Sequence, residues 1–258
     1  MKYMFYEASA FNYDISFWTG TAATTPQNNI FLGATAFNAT YQCASINGPP
    51  SSCKQFISIL LWDSLGTSLK DDVSGVEIET QSGSIQFDAA NNAIVSDGNW
   101  VGYVDFTSLR ANRNDYIFVN YEVFVPTSSS GFQYSLAVGT DANGDSFSWY
   151  NNADKVCAHV PWGGVSNCVP DKTYASYKGR WVKLAMVRPA EENLVYYYID
   201  GEKVITYTPS NGIDITSHGV LSQLHFFNHP WAGGDHKAAS GIKVRNVEVR
   251  VLDGTLRR

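Results

Sequence analysis

The chain has 258 residues, with 18 Lys and Arg against 24 Asp and Glu, and therefore a formal net charge of −6. Hydrophobic residues make up 44% of it, enough for a sizeable core, whereas charged residues make up only 16%, against about 25% in ordinary globular domains. An acidic chain without clustered Lys and Arg is not of the nucleic-acid-binding type. No apolar run approaches the ~20 residues of a membrane-spanning helix.

The N-terminal segment contains a repeat with a period of 26 residues. The sequence MFYEASAFN at 4–12 returns as IFLGATAFN at 30–38, with both Phe, both Ala and the Asn unchanged. A period of this size is typical of a solenoid, in which each unit buries its apolar face against its neighbours. Two copies fall below the roughly three needed for independent stability. We therefore expect residues 1–42 to be the end of a longer array, or to be capped by something else.

Four cysteines form two local pairs along the sequence, Cys43 with Cys53 and Cys157 with Cys168. Neither pair has the spacing of metal ligands, and both intervening stretches are rich in Pro and Gly. Closing loops of this size stabilises a fold by about 2.5–3 kcal/mol in the chain-entropy model. The spacing predicts two local disulfides and an oxidising compartment. The two other connectivities and four free thiols are the alternatives.

Residues 43–53 are predicted to be a disulfide-closed hinge, and residues 54–258 a single β-rich domain. Alternating apolar and polar residues between turn signals predict a series of strands. The predicted strands are 56–62, 76–80, 84–88, 116–125, 132–138, 146–150, 181–187, 194–199, 204–207, 221–227 and 242–252. A hairpin turn at 81–83 is predicted to join the second strand to the third, and another at 200–202 to join two later ones. This pattern, without an amphipathic helix, predicts an all-β fold, an antiparallel β-sandwich of the jelly-roll type.

The repeat segment resembles the terminal part of the BspA-like leucine-rich-type repeat. The residues that carry this resemblance are Met4, Phe5, Ala8, Phe11, Asn12, Asp14, Ile15 and Trp18. The second copy departs from the family pattern at 39–41, which suits a last, capping repeat. The resemblance implies a cell-surface or secreted protein whose solenoid displays another domain. Asn38 begins an Asn-Ala-Thr sequon and is a candidate glycosylation site.

The larger segment resembles the concanavalin A and laminin-G type of jelly roll. The sequences GRWVKL at 179–184, VYYYIDGEKV at 195–204 and IKVRNVEV at 242–249 carry the resemblance. It implies the jelly-roll fold, which hosts lectins, adhesion modules, glycoside hydrolases and polysaccharide lyases. The fold alone therefore does not select a function.

Glycoside hydrolysis needs two carboxyl groups that face the scissile bond. Laminarinase-like jelly rolls place theirs on alternate positions of one strand. Glu77 and Glu79 share a face, but Gln81 stands where the last acid of that pattern belongs. An amide is neither a nucleophile nor a general acid. We therefore expect a solvent-facing strand here rather than a catalytic one.

A polysaccharide lyase is a second candidate. Gln223-Leu224-His225 resembles the Q-x-H of alginate lyases, in which a His and a Tyr remove the proton alpha to a uronate carboxylate. The companion Y-x-K-x-G-x-Y strand of that family is missing, and 177–179 is a poor substitute. A hydrogen-bonded structural His225 is the alternative interpretation.

Two loops offer oxygen ligands for a cation. Asp141, Asn143 and Asp145 alternate around a glycine, as the ligands of calcium loops do. Asp235 lies in the Gly-rich segment 229–236 and is a further candidate ligand. The alternatives are an ordinary Asn-Gly hairpin turn and a plain connecting loop.

Aromatic and His side chains near these loops are candidate ligand-binding residues. Trp162 lies inside the predicted Cys157–Cys168 loop, which would hold its ring at a low entropy cost. The full set of candidates is Trp162, Trp231, His225, Tyr150 and His229. The alternative for Trp162 is packing against the edge of the sheet.

These observations favour an extracellular or cell-surface binding module without catalytic activity, which recognises a polysaccharide, a glycoprotein glycan or a surface protein. This hypothesis is based on three features. They are the lack of a carboxyl pair for glycoside hydrolysis in the sequence pattern, the low share of charged residues, and the aromatic residues in predicted loops. The first alternative is a lyase that uses His225 and a Tyr. The second is a structural subunit that self-associates in an extracellular assembly.

Overall fold

The computed structural model shows two compact units. The described residues are 3–15, 18–43, 47–63, 65–80, 85–98, 102–106, 109, 117–128, 133–139, 146–152, 155–159, 167–189, 193–208, 223–227 and 240–252. The N-terminal unit comprises Met1–Ile57 with Arg250–Arg258, and the sandwich unit comprises Ser58–Val249.

The described elements of the N-terminal unit are short. Its helices are α1 (Thr21–Thr24) and α2 (Thr35–Thr40), followed by strand β1 (Tyr41–Gln42) and a 3-10 helix at Pro50–Ser52. Strand β1 pairs antiparallel with the first residues of β2 (Lys54–Trp62). The predicted disulfide between Cys43 and Cys53 is confirmed.

The two copies of the 26-residue repeat contact each other at equivalent positions. The ring of Phe5 stacks on that of Phe31, with centroids 5.9 Å apart and planes 3° apart. The ring of Phe11 stacks on that of Phe37 at 5.2 Å. Phe31 and Phe37 are 1% and 0% exposed, so this aromatic column is the core of the unit.

The backbone also repeats between the two copies. Glu7 and Gly33 are equivalent positions, and both have a left-handed backbone, with φ of 54° and 79°. Such values are uncommon outside glycine, so their recurrence marks one shared conformation. A Cβ at Gly33 would lie 2.9 Å from the Cα of Glu7, which requires glycine in the second copy. The N–H of Glu7 donates to the carbonyl oxygen of Leu32 at 2.7 Å, which holds the copies together.

The sandwich unit consists of two antiparallel sheets. The remaining strands are β3 (Glu79–Thr80), β4 (Gln86–Asp88), β5 (Ala93–Val95), β6 (Gly102–Asp105), β7 (Ile117–Phe124), β8 (Gln133–Gly139), β9 (Ser146–Asn152), β10 (Lys155–His159), β11 (Asn167–Thr173), β12 (Trp181–Arg188), β13 (Val195–Ile199), β14 (Glu202–Tyr207), β15 (Gln223–Phe226) and β16 (Lys243–Leu252). In the described part of this unit, 3-10 helices lie at Ala89–Asn91 and Tyr174–Tyr177.

The larger sheet has the hydrogen-bonded order β2-β16-β7-β12-β13-β14, with β5 paired to β16 and β4 to β5. The smaller sheet has the order β11-β10-β9-β8-β15-β6-β3. Among the described strands, every pairing with a recorded register is antiparallel. The predicted all-β, antiparallel sandwich is confirmed.

Aromatic side chains from both sheets fill the space between them. Trp62 on β2 meets Phe226 on β15 edge to face at 5.7 Å. Trp149 on β9 meets Tyr197 on β13 at 5.2 Å, and its Nε1 donates to the carbonyl oxygen of Ala185 at 3.4 Å. Burial raises the pKa of the Tyr197 phenol well above its usual value, so the hydroxyl stays protonated in the core. These contacts fix which face of each strand points inward.

Two predicted connections in the sandwich unit are confirmed. The turn between β13 and β14 is confirmed, with φ of 49° at Asp200 and 84° at Gly201. Asp200 Oδ1 accepts a hydrogen bond from the backbone N–H of Lys183 at 2.9 Å. This contact gives a structural role to the Asp of VYYYIDGEKV, one of the sequences that resemble the concanavalin A and laminin-G type. The predicted disulfide between Cys157 and Cys168 is also confirmed, and it joins β10 to β11.

The predicted hairpin between strands 76–80 and 84–88 is wrong. Strand β3 pairs with β6 in the smaller sheet, whereas β4 pairs with β5 in the larger sheet. Alternation shows which face of a strand is buried but carries no information about its partner. The connecting residues 81–84 lie outside the described part of the chain.

Candidate functional site

Five side chains from three neighbouring strands meet on the outer face of the smaller sheet, the face turned away from the core. Glu79 on β3 lies opposite Tyr103 on β6, and Tyr103 lies opposite His225 on β15. Asp105 and Gln223 form the next cross-strand pair on the same face. We call these five residues the Tyr103 face.

Alternation within β6 and β15 places these side chains outward. Val104 and Leu224 are fully buried between the sheets, and so is Phe226. Because neighbouring residues of a strand point to opposite faces, Tyr103 and His225 point away from the core. Tyr103 is half-buried and Asp105 is exposed, whereas His225 on the same face is only 4% exposed, so solvent reaches Tyr103 and Asp105 but hardly reaches His225.

Gly102 allows the edge strand to approach β6 closely. A Cβ at this position would collide with the carbonyl oxygen of Glu79, which lies on the partner strand. Close backbone approach is one of the reasons for glycine inside a strand. Gly102 therefore sets the position of Glu79 relative to Tyr103.

His225 supports the Tyr103 ring. The two rings stack with centroids 5.6 Å apart and planes 25° apart. Nε2 of His225 donates to Oε1 of Gln223 at 3.1 Å, which places the proton of the neutral ring on Nε2. His225 is only 4% exposed, and this burial lowers its pKa to about 4. The imidazole is therefore neutral at physiological pH.

Tyr103 is held as a protonated phenol. Burial raises its pKa first, and the hydrogen bond to the Glu79 carboxylate raises it further. The negative charges of Glu79 and Asp105 act in the same direction. The hydroxyl of Tyr103 thus donates to Glu79 while the ring face remains an apolar platform.

The two carboxylates of the Tyr103 face are diagonal neighbours on adjacent strands, a position that separates residues by roughly 7–8 Å. The carboxyl groups of inverting glycosidases are about 6.5–9.5 Å apart, but one of them acts as an acid in an apolar pocket. Glu79 and Asp105 are both exposed. No group of three metal-ligating His, Cys, Asp or Glu side chains occurs among the described residues. The arrangement is suited to accepting hydrogen bonds.

The structure places Tyr103 beside His225 and Gln223, whereas the sequence left the Tyr of the candidate lyase site unspecified. Tyr150 lies on β9, and its side chain is outside the described part of the structure. The other candidates also lie outside it, namely Trp162, Trp231, His229, Asp141, Asn143, Asp145 and Asp235. Their roles in ligand and calcium binding stay predictions.

The glycosylation candidate Asn38 is exposed on α2. Its Nδ2 donates to the carbonyl oxygen of Phe31 at 2.9 Å, and this contact links the start and end of the second repeat copy. Modification of Asn38 stays a prediction.

Sequence reasoning missed Tyr103 and Asp105. The available signal was the alternation in 102–106, where two fully buried residues, Val104 and Phe106, flank Asp105. That run is short and is preceded by Gly and Trp, so it did not stand out as a strand.

Comparisons with known proteins agree with this architecture. No protein-family model and no curated protein matches the chain. Among solved structures, the binding domain of botulinum neurotoxin serotype D is 12% identical, with a TM-score of 0.53 over 74% of this chain and 47% of that one. Trypanosoma rangeli sialidase in complex with sialic acid is 11% identical, with a TM-score of 0.54 over 75% of this chain and 30% of that one.

A third similar structure is of botulinum neurotoxin type C, whose cell entry depends upon interaction with two ganglioside molecules. It is 14% identical, with a TM-score of 0.50 over 74% of this chain and 47% of that one. The chain spans less than half the length of each of these three structures. At such identities the likeness shows the β-sandwich fold alone. Within the described residues, the helices are all too short or too polar to cross a membrane.

Proposed function

We propose that this chain is an extracellular glycan-binding module and that the Tyr103 face is its binding surface. The proposal is based on the stacking of Tyr103 on His225, next to the side-chain oxygens of Asp105 and Gln223. A half-buried ring packs against the C–H face of a sugar, while carboxylate and amide oxygens accept hydrogen bonds from its hydroxyls. His225 serves as the support that keeps the ring in place.

Two similar structures lend support, since their descriptions name sialic acid and gangliosides. Those ligands belong to the sialidase and the neurotoxin. Because the fold is shared, the two structures suggest a class of ligand for this chain, namely a glycan. The two disulfides favour an oxidising, extracellular location.

The N-terminal unit is proposed to be the end of a BspA-like repeat stalk that displays the sandwich unit. The stacking of Phe5 on Phe31 and the shared backbone conformation at Glu7 and Gly33 support this role. Trp162 and Trp231 are proposed as further glycan contacts, with calcium at the loop that contains Asp141.

A glycan array followed by titration calorimetry tests the binding proposal. We expect Tyr103→Ala to weaken binding roughly tenfold or more, because a central aromatic contact is lost. Tyr198→Ala is the matched control, since Tyr198 is a half-buried Tyr on β13 of the larger sheet. Equal affinity of wild type and Tyr103→Ala, with both proteins folded, would refute the proposed surface.

A polysaccharide lyase is the second candidate, favoured by the proximity of His225, Gln223 and Tyr103. In that reaction a neutral His225 would accept the proton alpha to the uronate carboxylate and Tyr103 would protonate the leaving oxygen. Turnover would raise the ultraviolet absorbance of unsaturated uronate ends and would be lost in His225→Ala. A flat absorbance trace with alginate and other polyuronates would eliminate this candidate.

A further inference from the structure

The first repeat copy of the N-terminal unit differs from the second at three positions on its surface. Tyr3, Tyr6 and Glu7 of the first copy correspond to Asn29, Leu32 and Gly33 of the second. Tyr3 is 52% exposed, Tyr6 is 41% exposed, and Glu7 is exposed as well. The two copies therefore share a backbone pattern but present different chemical groups to solvent.

The backbone at two of these positions does not suit the residues of the first copy. Tyr3 and Glu7 have φ of 61° and 54°, and the equivalent Asn29 and Gly33 have φ of 52° and 79°. Asn and Gly adopt this left-handed region readily, whereas a bulky side chain is an outlier there. Backbone strain of this kind is found most often where a side chain serves function. The side chains of Tyr3 and Glu7 are therefore candidates for a role in binding.

Tyr3, Tyr6 and Glu7 form one connected cluster, which we call the Tyr3 cluster. The rings of Tyr3 and Tyr6 are nearly perpendicular, with planes 80° apart and centroids 5.5 Å apart. The backbone N–H of Tyr6 donates to the carbonyl oxygen of Tyr3 at 3.3 Å, so a turn holds the two rings together. The hydroxyl of Tyr6 donates to the carboxylate of Glu7, and this hydrogen bond, together with the negative charge of Glu7, raises the pKa of the phenol.

We infer that the Tyr3 cluster binds a ligand through a methylated ammonium group. A cation is attracted to the face of an aromatic ring, and two nearly perpendicular rings form a corner in which one compact cation contacts both. The carboxylate of Glu7 beside the rings adds the opposite charge. Two sources supply such a group, a choline ester and a trimethylated lysine side chain. The inference concerns the N-terminal unit and does not depend on the proposed glycan site.

An uncharged sugar is a weaker match for this cluster. A pyranose packs its C–H face flat against one ring, whereas the two rings here are set edge to face. A trimethylammonium group is compact, and its methyl groups can pack against both rings while its positive charge lies near Glu7. The cluster therefore selects for positive charge rather than for hydroxyl groups.

The test is an NMR titration of the full isotope-labelled chain with choline and with the uncharged alcohol in which carbon replaces the nitrogen of choline. We expect choline to shift the amide signals of Tyr3, Tyr6 and Glu7. It should bind roughly tenfold more tightly than the alcohol, because only the cation gains from the ring faces and the carboxylate. A titration with Nε-trimethyl-lysine follows, and the cation that binds more tightly identifies the source of the group.

Variants that carry the residues of the second copy separate binding from folding. Tyr6→Leu and Glu7→Gly should each weaken choline binding by roughly fivefold or more, since each removes one attraction for the cation. Glu7→Gly should not lower thermal stability, because glycine relieves the left-handed backbone. Tyr13→Leu is the matched control and should leave binding unchanged, since Tyr13 is a 74% exposed Tyr of the same unit.

Four results would overturn the inference. The first is equal binding of choline and its uncharged analogue, and the second is no detectable binding of either cation. The third is choline binding that survives both Tyr6→Leu and Glu7→Gly. The fourth is a marked loss of thermal stability in Glu7→Gly, which would show that Glu7 is needed for folding rather than for a ligand.

Discussion

The outer faces of the two sheets differ in how their charges are matched. On the larger sheet, Arg245 pairs with Glu122 at 2.7 Å and lies over the ring of Trp181 at 3.9 Å. Glu248 accepts a hydrogen bond from Asn120 at 2.9 Å and another from Ser58. Charged and aromatic groups on this face satisfy one another.

On the smaller sheet, the five strands β9, β8, β15, β6 and β3 contain two carboxylates, those of Glu79 and Asp105, and no Lys or Arg. The ring of Tyr103 stacks on a neutral imidazole rather than on an Arg or Lys. A side chain matched by neighbours within its own sheet contributes to stability. The smaller sheet presents a half-buried Tyr103 ring beside the exposed Glu79 and Asp105 instead, so the comparison favours the smaller sheet as the binding side.

The largest expected effect on stability is the protonation of His225 at acidic pH. Burial lowers its folded pKa from 6.5 to about 4, so the unfolded chain takes up a proton more readily between those values. The neutral His225 therefore makes its full contribution to the free energy of unfolding above pH 6.5. This contribution is lost as the pH falls toward 4, and the loss amounts to about 3 kcal/mol.

Urea unfolding of wild type and His225→Gln between pH 4 and 7 measures this effect. The variant removes the titrating group, so its unfolding free energy should fall less than that of wild type over this range. Identical pH profiles would show that His225 is not buried as described.

A smaller effect is expected at Gly102. Ala at this position would force β3 away from β6 and should cost about 2–3 kcal/mol, as overpacking does. It should also weaken glycan binding, because Glu79 would move away from Tyr103. Gly201→Ala is the control, since open space surrounds that turn. It should lower stability through its left-handed backbone without changing glycan affinity, and a similar loss of affinity in both variants would contradict the role given to Gly102.

The smallest expected effect concerns the larger sheet. Arg245→Ala removes a partly buried ion pair and a cation over a ring, and should cost about 1–2 kcal/mol. Arg180 makes the same kinds of contact, with Asp200 at 3.0 Å and the ring of Tyr177 at 5.2 Å, but is more exposed. Arg180→Ala should therefore cost less, about 0–1 kcal/mol. Thermal unfolding compares the two, and glycan affinity should not change in either.

The sequence predicted the features that depend on local patterns. Alternation in strands such as 195–199 indicated the antiparallel sandwich, and spacing along the chain indicated both disulfides. The Asp-Gly turn at 200–201 could be predicted because a left-handed backbone favours these residue types.

The Tyr103 face was not predictable in the same way. Glu79, Tyr103 and His225 are far apart in the sequence and meet only through strand pairing. A period of two assigns each of them to a face but does not tell which strands become neighbours. The wrong hairpin at 81–83 has the same cause, since β3 and β4 were assigned to each other instead of to different sheets.

Mapping the bound glycan onto the backbone tests the central claim most directly. Amide chemical shifts would be followed while the glycan that binds best on the array is titrated into the isotope-labelled chain. We predict that the largest perturbations fall on β3, β6 and β15, around Glu79, Tyr103 and Gln223, and that β13 and β14 stay unperturbed. Perturbations confined to the outer face of the larger sheet would contradict the account.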